Sequence, residues 1–188
     1  MGHGEHLAEA VSLAVESVEK GWGGPFGAVI VHDDRIIARG QNRVLLTGDP
    51  TAHAELEAIR KAVQVLNPRA PSIPEEHLDE STLALTPRPE GSPDPLPERA
   101  RMLKGCAIYT SGVPCPMCMS AIYWARIGAV HYSCGPEAAE EIGFGDAFQY
   151  EDFKKPPAER GILLEQHHPE LGAAAYRAWE RKPDRHPY

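Results

Sequence analysis

Two short stretches, far apart in the chain, constrain the fold more than anything else in it: His53-Ala54-Glu55 and Pro114-Cys115-Pro116-Met117-Cys118. One imidazole and two thiols make three metal ligands, one short of the four that close a structural zinc site. A neighbouring carboxylate not needed as a ligand is then free to move protons. Cys115 and Cys118 sit three apart, which places both sulfurs on one side of a helical turn. Pro116 suits the first turn of that helix, where its missing N–H has no partner to lose. The positive end of the helix favours thiolate over thiol, the form a metal needs. His53 and Glu55 open a second helix after the breaker Asp49-Pro50. Two helix starts over one ion would balance Zn2+ with two thiolates and leave its fourth position open.

Cys-x-x-Cys alone fits a structural zinc or a redox pair as well as it fits catalysis. A redox pair leaves His53-x-Glu55 unexplained. A structural site needs a fourth ligand, and Cys106 and Cys134 are the candidates. Both lie in apolar, strand-like runs, where a buried inert thiol is expected. A catalytic zinc held by His53, Cys115 and Cys118, with Glu55 as acid–base, is the expectation.

With 188 residues, 42% of them hydrophobic, the chain can bury a full core and reads as one domain over residues 1–188. Four cysteines with no regular framework suggest a reducing compartment. The opening Met-Gly-His-Gly-Glu-His has neither a basic nor an apolar stretch, so no signal peptide is expected. No apolar run approaches the length of a membrane span. A soluble, cytoplasmic protein without membrane contact follows as an expectation. The net charge of -8 lacks the basic face that polynucleotide binding draws on. Arg177, Arg181, Lys182 and Arg185 cluster near the end and read as a solvated helix face. No nucleic-acid partner is expected; a small neutral substrate fits the charge better.

The chain in order alternates helix and strand, so the class is α/β. Leu7, Val11, Ala14, Val15 and Val18 recur at helical spacing and predict a helix over about 5–20. Phe26 to Val31 is a buried strand, Asp33-Asp34 a turn, and 35–40 a returning strand. Gln41-Asn42 then falls at a strand end, where open α/β sheets place ligands. His53 to Leu66 predicts a helix. About 68–101 is proline-rich and acidic, an insertion that neither helix nor central strand can occupy. Residues 105–110 form a third strand leading to the cysteines, followed by their helix. Residues 128–133 form a fourth strand, 136–141 a short helix, 143–150 an aromatic loop and 161–164 a last short strand. A closing helix around Leu171–Trp179 belongs to a C-terminal extension at about 168–188.

His-x-Glu paired with Pro-Cys-x-x-Cys is the signature of the zinc base deaminases. Further segments add to it: Gly23 to Val31, Asp49 to Glu55, Ala121 to Arg126, Gly143-Phe144-Gly145-Asp146-Ala147-Phe148 and Lys155 to Arg160. On these the chain resembles the cytidine deaminase-like superfamily, and within it the bacterial guanine deaminase family. Gly145 stands where the family's block has the first of two Asp residues, and Val113 where a Glu is usual. The resemblance implies a three-layer α/β/α sandwich around a mixed sheet of about five strands. It implies hydrolytic deamination of a purine base, guanine to xanthine and ammonia. Another base, a nucleoside or tRNA adenosine is the alternative, as is a non-catalytic zinc-stabilised module that would have no need of Glu55. By the same resemblance Asn42 would hydrogen-bond the base and Phe26 pack near it. Asp146 would bind the amino side and assist proton transfer. Tyr188 would close the site, from its own chain or from the partner in a homodimer with exchanged C-terminal segments.

Overall fold

The computed structural model describes residues 2–66, 102–183 and 185. The proline-rich insertion at about 68–101 and the terminal Tyr188 lie outside the described residues. Two compact units are present, Met1–Gly135 and Pro136–Tyr188.

The first unit runs α1 (His3–Glu19), β1 (Gly27–His32), β2 (Arg35–Gln41), α2 (Val44–Thr47), α3 (Ala54–Leu66), β3 (Ala107–Gly112), α4 (Pro116–Trp124) and β4 (Ala129–Cys134). The described strands make one four-stranded mixed sheet in the order β2-β1-β3-β4. β1 pairs antiparallel with β2 and β3, while β3 and β4 run parallel. The tight β1–β2 turn places both Asp33 (φ 48) and Asp34 (φ 59) in the left-handed region, which short polar side chains tolerate.

Successive residues of a strand face opposite sides, and β1 shows it plainly. Ala28 and Ile30 join the core of Ala54, Ala58, Ala62, Ile108 and Ile122, between the sheet and helices α3 and α4. Val29 and Val31 instead pack with Tyr109, Leu7 and Leu13, on the α1 side. Helices therefore cover both faces, and the architecture is the expected three-layer sandwich, with four strands among the described residues where about five were expected.

Small residues set how closely the layers approach. A Cβ added at Gly40 of β2 would lie 1.9 Å from the Ala54 carbonyl oxygen and 2.7 Å from the Ala58 nitrogen of α3. The same demand corrects the buried face of α1. His6, Ala10, Ala14 and Ser17 face inward, whereas Val11, Val15 and Val18 are exposed. Close approach to β1 selected small side chains there, against the more apolar valines.

The second unit holds α5 (Pro136–Glu141), α6 (Ala147–Lys154), a single 3-10 turn at Pro157–Glu159 and α7 (Pro169–Arg181). Two expectations fail in it. The aromatic loop at 143–150 gives way to α6 from Ala147 onward. Residues 161–164 form no strand, because the Gly161 N–H is taken by both carboxylate oxygens of Asp152 (3.0 and 3.1 Å). Among the described residues, no helix is long and apolar enough to cross a membrane.

The packing predicts opposite effects of two glycine replacements. Gly40→Ala should lower unfolding free energy by about 1–3 kcal/mol, as overpacking does. Gly4→Ala, on α1 with open space around it, should raise it by up to about 1 kcal/mol. Urea melts of both variants check the pair; a neutral Gly40→Ala would remove the close contact.

Candidate active site

Asp49 and Pro50 stop the chain before α3 and aim it. The Asp49 carboxylate accepts both the backbone N–H and the hydroxyl of Thr51 at 2.7 Å. His53 follows immediately before α3, its carbonyl accepting the N–H of Glu57 at 3.0 Å. Glu55 lies in the first turn of α3 and is buried. Across from it, Cys115 takes the N-cap position of α4, Pro116 opens the helix, and Cys118 is fully buried in its first turn. Both ligand-bearing segments thus present helix N-termini, as their spacing predicts.

The three ligand atoms converge. His53 Nδ1 lies 3.6 Å from Cys115 Sγ and 3.5 Å from Cys118 Sγ. The atoms all lie within 4.8 Å of one another, and this is the one such metal-ligand group among the described residues. Cys106 is buried and Cys134 exposed, and neither joins the group. One imidazole nitrogen and two sulfurs form a donor set that suits zinc and leaves its fourth position open. Glu55 supplies the further observation a catalytic site needs. Its Oε2 is buried and has no hydrogen-bond partner among the described residues. An orphaned carboxylate oxygen beside three ligands is poorly explained by stability alone.

The electrostatics of the four groups are linked. A hydrogen bond from Cys118 holds the Cys115 thiol down at about 4 against its burial, with His53 adding to the effect. The same contact pushes Cys118 upward, so its sulfur keeps the proton. The hydrogen bond to Cys115 raises His53. Burial pushes the Glu55 carboxyl above the usual carboxylate range.

Asn42 sits just past the end of β2 and is buried, its N–H donating to the Phe26 carbonyl at 2.9 Å. Phe26 is half-buried and packs on the core shared with α3. Asp146 is half-buried at the N-cap position of α6, in the second unit, with no capping hydrogen bond from its side chain. The neighbouring Gly145 has a packing reason, since a Cβ there would meet Glu140 Cγ at 3.2 Å. Two residues not foreseen from the sequence touch Asn42: Ser17 of α1 and Gly23 of the loop before β1. The Gly-rich run Gly21-Trp22-Gly23-Gly24 was their only visible signal.

Residues 2–134 match the model of the cytidine and deoxycytidylate deaminase zinc-binding region. The chain belongs to this deaminase family. It is 41% identical to the guanine deaminase of Bacillus subtilis over 188 residues, covering 100% of both chains. A crystal structure of a guanine deaminase from Bacillus subtilis superposes with a TM-score of 0.80, over 100% of this chain and 99% of that one. A tRNA-specific adenosine deaminase of Aquifex aeolicus is 32% identical over 133 residues, 71% of this chain and 66% of that protein. These matches bear out the resemblance read from the sequence and identify the protein as a zinc-binding hydrolase acting on C–N bonds.

Purified protein should carry about one zinc per chain, and Cys118→Ala should lose metal and stability together. Elemental analysis and thermal melts check this. Full retention of zinc in that variant would contradict the assignment. Zinc affinity should also fall as pH falls, because binding must displace the proton that Cys118 keeps while Cys115 is already ionised. A competition titration between pH 8 and 6 should show weakening of at least about tenfold per pH unit, the Cys118 proton setting the minimum and the raised His53 adding its own as pH falls. A flat profile would mean that neither sulfur releases a proton.

Proposed function

We propose that the chain hydrolyses guanine to xanthine and ammonia, with His53, Cys115 and Cys118 holding the zinc and Glu55 moving the protons. The observation that carries the reaction is the orphaned, buried Glu55 oxygen beside the three-ligand group. The full-length similarity to a guanine deaminase carries the choice of base.

Zinc, when bound, supplies the Lewis acidity that makes water ionise near neutral pH. Glu55 passes one proton of the attacking water to the ring nitrogen and the second, from the hydroxyl then on the ring carbon, to the departing amine, which leaves as ammonia. Burial suits it to both halves of that task, since a carboxyl raised towards neutrality both accepts and returns a proton readily. Asn42 hydrogen-bonds the base and Phe26 packs against it. Asp146 reads the amino side of guanine and assists proton transfer, and Tyr188 covers the site. A homodimer with exchanged C-terminal segments is the proposed assembly. The proposed setting is the cytoplasm, which suits four free thiols.

A polynucleotide substrate is the second reading, favoured by the similarity to tRNA-specific adenosine deaminase. The net charge of -8 weighs against it, because phosphate contacts need basic partners.

Glu55→Gln should keep zinc while losing activity by about 100- to 10,000-fold, the value of a positioned acid–base. Rates within a few-fold of the parent would move the proton transfer to another residue. Ammonia release across guanine, adenine, cytosine, guanosine and tRNA tests the substrate. A site that hydrogen-bonds one exocyclic group rejects analogues lacking it, so guanine should lead by about 1,000-fold or more, and Asp146→Asn should erode that lead. Preference for tRNA would overturn the proposal.

A further inference from the structure

Asn42 is held at every polar atom but one. Its backbone N–H donates to Phe26 and its carbonyl accepts the Ser17 hydroxyl at 2.6 Å. Its side-chain Oδ1 accepts the N–H groups of Gly24 and Val44, each at 3.2 Å. Both of those neighbours are donors, so only the oxygen of the carboxamide can face them. The amide orientation is thereby fixed, with Nδ2 left as the arm that can donate outward. Among the described residues, Nδ2 makes no hydrogen bond, although Asn42 is only 4% exposed.

The oxygen occupies space that any other residue at position 23 would fill. A Cβ there would stand 2.0 Å from Asn42 Oδ1, 2.8 Å from its carbonyl oxygen and 2.9 Å from Cγ. Gly23 needs no unusual backbone angle, as its φ is not in the left-handed region. Its lack of a side chain therefore serves the neighbour rather than its own conformation. The Ser17 hydroxyl, fully buried on α1, anchors the same residue from the other side.

We propose that Gly23 and Ser17 are positioning residues that act through Asn42, locking its carboxamide so that its Nδ2 amino group faces the substrate as donor. This rests on the role proposed above for Asn42, and two independent readouts keep the two claims separable.

The first is a double-mutant comparison on guanine turnover. Gly23→Ala should raise KM and lower kcat/KM by about tenfold, the value of one hydrogen bond, while zinc content stays at the parent level. In an Asn42→Ala background the same change should cost no more than about twofold, since coupled residues do not add. Equal fold losses in both backgrounds would overturn the proposal. Should Gly23→Ala fail to fold, Ser17→Ala removes the other anchor without adding an atom and carries the same comparison. The second readout needs no activity. The chain has two asparagines, Asn42 and Asn67, so selective 15N-asparagine labelling gives two side-chain NH2 pairs. Asn67→Gln assigns them. Gly23→Ala should shift the Asn42 pair and leave the Asn67 pair in place; an unmoved Asn42 pair would overturn the lock. If the parent turns over no guanine, the proposed function falls while the spectrum still decides this inference.

Discussion

Backbone-to-backbone contact between β2 and α3 at Gly40 sets the geometry on which everything else depends. β2 ends at Gln41 and hands the chain to Asn42, while α3 carries Glu55 in its first turn and follows His53 directly. With the Gly40 Cα pressed against the Ala54 carbonyl, the two ends become parts of one rigid ruler. Ala54, Ala58 and Ala62 repeat the small side chain along the contact and are all buried. Interiors packed this tightly transmit small displacements, so a shift of α3 would move ligand, acid–base and Asn42 against one another. β3 completes the frame by delivering Cys115 and α4 alongside, its strand locked between β1 and β4.

The site opposes the frame's tendency towards stability. Burying a carboxyl with one oxygen unpaired costs free energy, and so does crowding two sulfurs around an imidazole. Protein alone answers this by sharing a proton: Cys115 ionises early, Cys118 keeps its proton, and Glu55 is pushed towards neutrality. A divalent cation resolves the same conflict with charge, which is why its binding is expected to be coupled to stability. The strained, under-satisfied cluster is thus a metal site by its energetics as well as by its geometry.

The chemistry of the site was legible because it is written in residue types that have few other uses. His53, Glu55, Cys115 and Cys118 announce themselves by spacing, and helix-start signals at Asp49-Pro50 and Pro116 placed them correctly. Layer packing was less legible. Val11, Val15 and Val18 look like the buried stripe of α1, yet Ala10, Ala14 and Ser17 take that place because distance to β1, not hydrophobicity, is limiting. Gly-Ile-Leu-Leu at 161–164 looks like a strand, but apolarity cannot supply a partner, and Ile162 stays 80% exposed. The support of Asn42 by Ser17 and Gly23 left only a glycine-rich run to see, for a related reason: a glycine's purpose lies in the neighbour it leaves room for.

The central claim is hydrolysis: water's oxygen replaces the exocyclic amine of guanine at one ring carbon, with Glu55 carrying the protons. Turnover of guanine by the zinc-loaded protein in 18O-enriched water, followed by mass spectrometry of the product, tests this most directly. The account predicts xanthine labelled with a single 18O at C2, in equal amount to the ammonia released. Unlabelled product, label elsewhere on the ring, or no ammonia would contradict it.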